Sequence, residues 1–406
     1  MGSALWAGIS GLSASSKQMD VIANNIANVN TIGYKSGKIF FSDVLSQSIS
    51  GGASGSMQVG RGVAVSAITT QFGSGSFETT SSATDVAIDG DGFFMVNDNY
   101  GATYYTRAGN FHMNSDGYLV DANGYILQGH NLTTTTSANI ENISLRSVQS
   151  EPQITTEFSV GINLDAEESE GGTFSSSQTV YDSLGALHTL NIVFTKTAVN
   201  GVWDITVSLD GTAASAQSVT SLTFDGSGVL TDPAADISVT FADPLPNGAT
   251  IGTAGVVNWD LVGETALTIT GYSSPSAIKS LSNDGYASGD LKSLSISRDG
   301  IISGFFTNGQ TADIAQIVLA KFNDPNGLKK MGNNLFGETV NSGPAIKNSP
   351  GTAGMGEVKA NSLEMSNVDV ATEFINMITA QKAYTASARV ITTEDSMMTE
   401  LMNIRR

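Results

Sequence analysis

The last 46 residues constrain this chain more than any other stretch. Across residues 361–406, Val370, Phe374, Met377, Tyr384, Ile391, Met398 and Met402 recur at steps of three and four or at whole heptads, with Gln381, Ala388 and Asp395 in the skipped positions. That spacing predicts one long helix carrying one apolar stripe. Ser366 is the expected N-cap with Asp369 three residues on, Glu373 adds negative charge to the first turns, and Arg405 and Arg406 sit where the helix dipole favours cations. Neither Gly nor Pro interrupts the chain after Val368, so at 1.5 Å per residue the helix is on the order of 55 Å long. Such a stripe needs a partner.

Residues 1–30 supply a matching one. Leu5, Ile9, Leu12, Met19, Ala23 and Ile26 follow the same steps, with Ser16 and Asn30 in the seam and Ile22 and Val29 beside it. Both termini are therefore expected to be amphipathic helices. The plain outcome of this pattern is a terminal hairpin docked on the body; the other is association with further copies of the chain. In the run from Asn24 to Lys35 the asparagines and Gly33 favour left-handed backbone, which places the stop of the first helix between Asn28 and Gly33. Residues 46–62 are rich in Gly and Ser, and 31–70 as a whole reads as a flexible connector.

From Val63 onwards the apolar period drops to two. Short strands are expected at 63–68, 86–88, 93–96, 104–105, 118–120 and 125–127, separated by Asp89-Gly90, Asp91-Gly92, Asp116-Gly117 and Asn123-Gly124, which supply the positive φ of hairpin turns. The same grammar returns around Asp299-Gly300 and Asn308-Gly309, followed by an apolar strand at 314–322. Between these blocks, strands are expected at 187–195, 202–209, 221–224, 236–241 and 267–270. The resulting architecture is mainly β with long helical termini, and it is nested. Residues 1–30 and 361–406 form a terminal helical assembly domain, 71–145 and 276–360 a split β domain, and 146–275 an inserted outer all-β domain of ordinary size.

Composition narrows the partners. Nineteen Lys and Arg stand against 38 Asp and Glu, a net charge of −19 that opposes binding to nucleic acid or to an anionic membrane. Charged residues are nevertheless only 14% of the chain, so much of the surface is small and polar, which suits packing against further copies. With no Cys, disulfides and thiolate metal sites are excluded. The first charge is Lys17, and Ser and Gly interrupt the apolar residues before it, unlike a cleaved secretory signal. No apolar run reaches the length of a membrane span.

Catalytic and metal motifs are absent from the sequence. His112, His130 and His188 are isolated and read as surface or turn residues. Residues 33–38 are one residue short of a phosphate loop and lack the Ser or Thr after Lys38. The Asp89-Gly90-Asp91 opening has Phe93 at the third calcium-ligand position, and the carboxylates of 165–170 read as a solvated loop. No catalytic residue, metal ligand or cofactor is expected.

The run from Asn24 to Lys35 closely resembles the signature shared by the rod, hook and hook-associated proteins of bacterial flagella, on Asn24, Asn25, Asn28, Asn30, Gly33 and Tyr34. Residues 365–395 resemble the family's C-terminal helix, and residues 84–94 and 105–111 its shared β domain. Within the family, the chain length, the middle segment with Tyr181 to His188, and residues 323–335 resemble hook proteins. The resemblance implies a non-enzymatic structural subunit of the flagellar hook, self-assembling into a curved, flexible tube that passes motor torque from rod to filament. Implied partners are further copies of the chain, rod proteins, the hook cap, hook-filament junction proteins and the flagellar type III export apparatus, with no nucleic acid and no membrane insertion. The implied location is the extracellular hook and basal body, reached without cleavage of a signal peptide. A distal rod protein with an insertion, forming a straight tube, is the alternative within the family; a glycan-binding module in 146–275 lies outside it.

Assembly is expected to rest on Leu5, Ile9, Leu12, Met19, Ile22 and Ile26 of one subunit against Val370, Phe374, Met377, Tyr384, Ile391 and Met398 of a neighbour. Both ends are expected to be disordered before assembly, because an isolated stripe buries too little area to offset about 1–2 kcal/mol of backbone entropy per residue.

Overall fold

A computed structural model describes residues 2–44, 47–49, 57–98, 100–132, 139–146, 148–261 and 268–404. Two compact units divide the chain: Met1–Ser147 with Leu294–Gly304 and Asp313–Arg406, and Val148–Ser293 with Phe305–Ala312. The fold is mostly β, with one helix at each end.

In the first unit, helix α1 (Gly2–Ala27) keeps Asn24 and Asn25 in its last turn and ends just before Asn28, and Gly33 takes φ +68°. Helix α2 (Val370–Ile404) starts later than the assembly domain expected from residue 361. The strand Ser362–Glu364 pairs with Phe77–Thr79, and Asn367 is engaged by the β structure, so the chain stays extended to Val368. The N-cap is accordingly Asp369, not Ser366: its Oδ1 accepts the Ala371 amide at 2.9 Å and its Oδ2 the Thr372 hydroxyl at 3.0 Å. Those hydrogen bonds, the Thr372 hydroxyl first, hold the Asp369 carboxyl below its usual range. Arg405 and Arg406 lie outside the described residues.

Residues 31–70 are not a loose connector throughout. Gly37–Asp43 pairs with Val63–Thr70 in an antiparallel ribbon, Gly37 opposite Thr70 and Asp43 opposite Val63, with an irregularity between Phe40 and Phe41. Gln47–Ile49 pairs with Met57–Val59 beyond it; residues 45–46 and 50–56 lie outside the described residues. The Gly and Ser content of this stretch hid β-branched and aromatic residues that favour pairing.

The β portion of the first unit has its core at Phe93, Met95, Tyr105, Val318, Ala320, Phe322 and Phe336, whose rings meet largely edge to face. Its strands come from both sides of the middle segment: Leu319–Lys321 pairs with Phe93–Asn97, and Glu357–Ala360 with Val86–Asp89. The apolar strand expected at 314–322 is present as two pieces, Thr311–Ile317 and Leu319–Lys321.

Among the described residues, the second unit contains two six-stranded sheets sharing one core that includes Phe158, Phe194, Trp203 and Trp259. Thr173–Tyr181, Leu187–Lys196 and Val202–Leu209 form a meander whose side chains alternate between buried and more exposed. The far boundary expected at 275 falls inside this unit. Ala277–Asn283 pairs antiparallel with Glu157–Asn163, Asn283 opposite Phe158, which carries the unit on to Ser293. Glu157–Asn163 is buried on both faces, so it lacks the alternation by which a strand is read from sequence.

Candidate assembly site at the junction of the terminal helices

Helices α1 and α2 pack antiparallel. Gly8 faces Ser387 and Ile391 late in α2, while Asn25 reaches Glu373 at its start. Gly8, Gly11, Ser15, Ile22 and Asn25 are spaced by three, four or seven, and so lie on one helical face. A Cβ on Gly8 would lie 3.0 Å from Ile391 Cγ1, and one on Gly11 2.9 Å from Ser387 Oγ. The helices approach closely because these positions carry almost no side chain. On α2 the corresponding residues are Glu373, Met377, Ala380, Tyr384, Ser387, Ile391 and Glu394, again in steps of three and four.

This seam differs from the expected one. Of the α1 stripe, Ile22 is 4% exposed, whereas Leu5, Leu12, Met19 and Ile26 are half-buried and Ile9 is exposed. Of the α2 stripe, Met377, Tyr384 and Ile391 flank Ala380 on the seam face, but Val370, Phe374 and Met398 are exposed, Phe374 at 50%. Small residues draw the two helices of one chain together, and Val370, Phe374 and Met398 remain outside. The pairing is also within the chain, where contacts between subunits were expected. The signal that could have revealed it is Gly8 and Gly11 three apart, with Ser15 one turn on.

The ribbon lies against α1. Ser10 Oγ accepts the Val63 amide at 3.2 Å, and Gly62, at φ +106°, is close enough that a Cβ would collide with that hydroxyl. The exposed aromatic pair Phe40 and Phe41 sits on this ribbon.

The signature asparagines now have physical roles. Asn25, 2% exposed, accepts the Gly37 amide with Oδ1 and donates to the Gly37 carbonyl with Nδ2, each at 2.9 Å; Nδ2 also lies 3.1 Å from Glu373 Oε1. One side chain thus ties α1 to the ribbon and to α2. Asn28 Nδ2 donates to Asn24 Oδ1 at 2.7 Å and Thr31 donates to Asn28, winding up the helix end. Tyr34 OH lies 3.4 Å from Asn24 Oδ1 and from Asn25 Oδ1, its phenol pushed up by burial and by Glu373. Gly33 has no substitute: a Cβ would lie 2.5 Å from the Ala108 nitrogen. Asn30 is exposed at the end of the turn.

Behind the signature lies a buried ion cluster that sequence reasoning missed. Lys35 Nζ meets Glu364 Oε1 at 2.5 Å with both side chains fully buried, and Arg107 Nη1 meets Glu364 Oε2 at 3.4 Å. Lys35 also donates to the Gly73 carbonyl at 2.9 Å, Arg107 to that of Gly90 at 2.8 Å, and the Gly75 amide to Glu364 Oε1 at 2.9 Å. Burial pulls the Lys35 ammonium and the Arg107 guanidinium below their usual ranges, and Glu364 opposes that pull. Asn367 completes the junction, accepting the Ser36 amide at 2.8 Å and donating to the Gln71 carbonyl at 2.8 Å. The cluster joins the end of α1, the β structure and the approach to α2, three segments far apart in sequence. Among the described residues no group of three or more His, Asp or Glu is placed to hold a metal, and no helix is long and apolar enough to cross a membrane.

The asparagine signature that locks the two ends together resembles that of the axial subunits of the bacterial flagellum, and sequence families place the chain in that class. Residues 5–35 match the flagella basal body rod protein family, 87–165 the flagellar hook protein FlgE/F/G D1 domain, 147–286 the flagellar basal body protein FlaE D2 domain, and 359–404 the flagellar basal body rod FlgEFG protein C-terminal family. The flagellar hook protein FlgE of Borreliella burgdorferi is 34% identical, with 99% of each chain covered; that of Escherichia coli K12 is 34% identical and that of Salmonella typhimurium LT2 33%, each with 98% of both chains covered. The chain belongs to the flagellar hook protein family and is a structural subunit of the hook.

Proposed function

We propose that the chain polymerises into a curved, flexible tube that carries torque from rod to filament, and that contacts between subunits are made by apolar side chains left outside the α1–α2 seam. The observation that carries this reading is their exposure: Trp6 at 63%, Phe374 at 50%, Ile378 at 56% and Met402 at 72%. Exposed apolar side chains gathered on one helix surface, as Phe374 and Ile378 one turn apart are, mark an interaction site, and burying them is worth about 25 cal/mol per Å². In this reading the terminal helices form the inner layer of the tube. The subunit leaves the cell through the flagellar type III export apparatus without cleavage and is added beneath the hook cap, between rod and junction proteins, to stand in the extracellular hook. It catalyses no reaction.

Electron microscopy of the full-length protein salted out of solution tests this. Curved tubes support the reading, whereas straight, stiff tubes would assign the chain to the rod.

A further inference from the structure

The second unit contains a side-chain cluster that assembly through the helices does not use. His188 sits between two carboxylates: Nδ1 lies 2.6 Å from Asp210 Oδ2 and Nε2 lies 3.1 Å from Asp182 Oδ2. A carboxylate only accepts hydrogen bonds, and a neutral imidazole has one N–H, so both contacts together require the imidazolium. Both carboxylates are anchored by other donors. Asp182 Oδ1 accepts the Leu184 and Ala186 amides at 2.9 and 2.8 Å, and Oδ2 accepts Asn247 Nδ2 at 2.7 Å. Asp210 Oδ1 accepts the Thr189 amide at 2.8 Å.

Three segments converge on the ring's surroundings. The Asp182 turn joins Thr173–Tyr181 to Leu187–Lys196, and the Asp210 turn joins Val202–Leu209 to Thr212–Ala213. The third, around Asn247, is bound to the first by Ser183, whose amide donates to the Thr250 carbonyl at 2.9 Å and whose Oγ accepts the Thr250 amide at 3.0 Å. Asp182 and Asp210 are the titratable groups bonded to the ring, and Asn247 is neutral. Asp210 also holds φ +48°, a left-handed backbone that a non-glycine residue keeps only when its surroundings enforce it.

We propose that protonated His188 is a staple between the Asp182 and Asp210 turns, and that loss of its proton opens the Asp210 side, making this end of the second unit a pH-sensitive joint. The asymmetry follows from burial. The Asp182 side chain is fully buried and keeps the remaining ring proton, whereas the Asp210 side chain is 52% exposed and water can replace its donor. Burial opposes the charged ring, but the hydrogen bonds to Asp210 and Asp182 outweigh it and raise His188 above the ordinary histidine value, while both carboxylates are lowered. The staple is therefore complete below the ordinary histidine pKa and is lost as pH rises through the raised one.

The test uses the full chain with ring-labelled histidine, followed by nuclear magnetic resonance, together with hydrogen exchange corrected for its intrinsic pH dependence. His188 should titrate above the ordinary histidine value. Across that titration the Thr189 amide should lose protection, while Leu184 and Ala186 hold theirs. Asp210→Asn keeps the acceptor but removes the charge, and should lower the His188 titration and abolish the change at Thr189. A His188 that titrates at or below the ordinary value, or a Thr189 amide indifferent to its protonation, would overturn the proposal.

Discussion

Asn25 and Gly37 are hydrogen-bonded to each other in both directions, the carboxamide of one occupying the place of a paired strand for the backbone of the other. Because the same Nδ2 reaches Glu373, a single buried side chain sets the angle at which α1 meets the ribbon and α2. Asn25→Asp removes the donor while preserving the shape, leaving the Gly37 carbonyl unpaired and a second carboxylate beside Glu373. We expect a loss of about 1–3 kcal/mol, read by chemical denaturation, and an unchanged stability would show the bonds to be incidental.

Glu364 pairs with two buried cations, Lys35 and Arg107. Glu364→Gln should cost about 3–5 kcal/mol, since both buried charges would lose the carboxylate they share. The pH dependence has a definite sign. Burial holds Lys35 below its unfolded value, so the folded state binds fewer protons between the two values and stability gains there as pH rises. Without Glu364 to oppose that pull Lys35 falls further and the variant gains more, so its defect should shrink toward alkaline pH, and a defect that grows would place the cost elsewhere.

Burial, aided by Glu338, pushes the Tyr105 phenol up to about 12, and its OH lies 3.3 Å from Glu338 Oε2. A phenol raised above its unfolded value contributes stability that is complete below about 10 and lost as pH climbs through the folded value. Ultraviolet titration of wild type against Tyr105→Phe should assign the late-ionising phenol to this residue, and a difference spectrum centred near the ordinary tyrosine value would refute it.

Much of this was legible in the sequence, and the failures share a physical cause. Gly33 and the asparagines before it announced the end of α1, and most Asp-Gly and Asn-Gly pairs marked hairpins, because positive φ is a local demand that few residues meet; at Asp89-Gly90 and Asp91-Gly92 the chain turns without closing one, since Val86–Asp89 pairs with Glu357–Ala360 and not with Phe93–Asn97. The heptad face of Met377, Tyr384 and Ile391 was visible as well. What faces it was not, because Gly8, Gly11 and Ser15 work by what they lack, and an apolar pattern counts only side chains that are present. The Lys35–Glu364–Arg107 cluster joins residues up to 329 positions apart, and no local pattern encodes such a contact. Of the ribbon, the strand at 63–68 was expected, but its partner Gly37–Asp43 was obscured by the Gly- and Ser-rich segment between them.

Gly8 is where the close approach of the helices can be broken. Gly8→Leu must push against Ile391 and the Ser387 carbonyl, so the helices separate at their far end. We expect about 1–3 kcal/mol of lost stability and no polymer, with the circular dichroism of the β structure retained. Polymerisation at the wild-type level would mean that the seam is dispensable.

Phe374 separates the two roles assigned to the terminal helices, since it lies on α2 outside the seam and is 50% exposed. Phe374→Asp should change the stability of the chain by no more than about 0.5 kcal/mol, as expected of an exposed site, yet prevent assembly. The decisive measurement is electron microscopy of wild type and Phe374→Asp salted out side by side, with their melting curves compared. Tubes from the wild type alone, with superimposable melting, are what outward-facing apolar side chains predict. Tubes formed equally well by the variant would contradict that account.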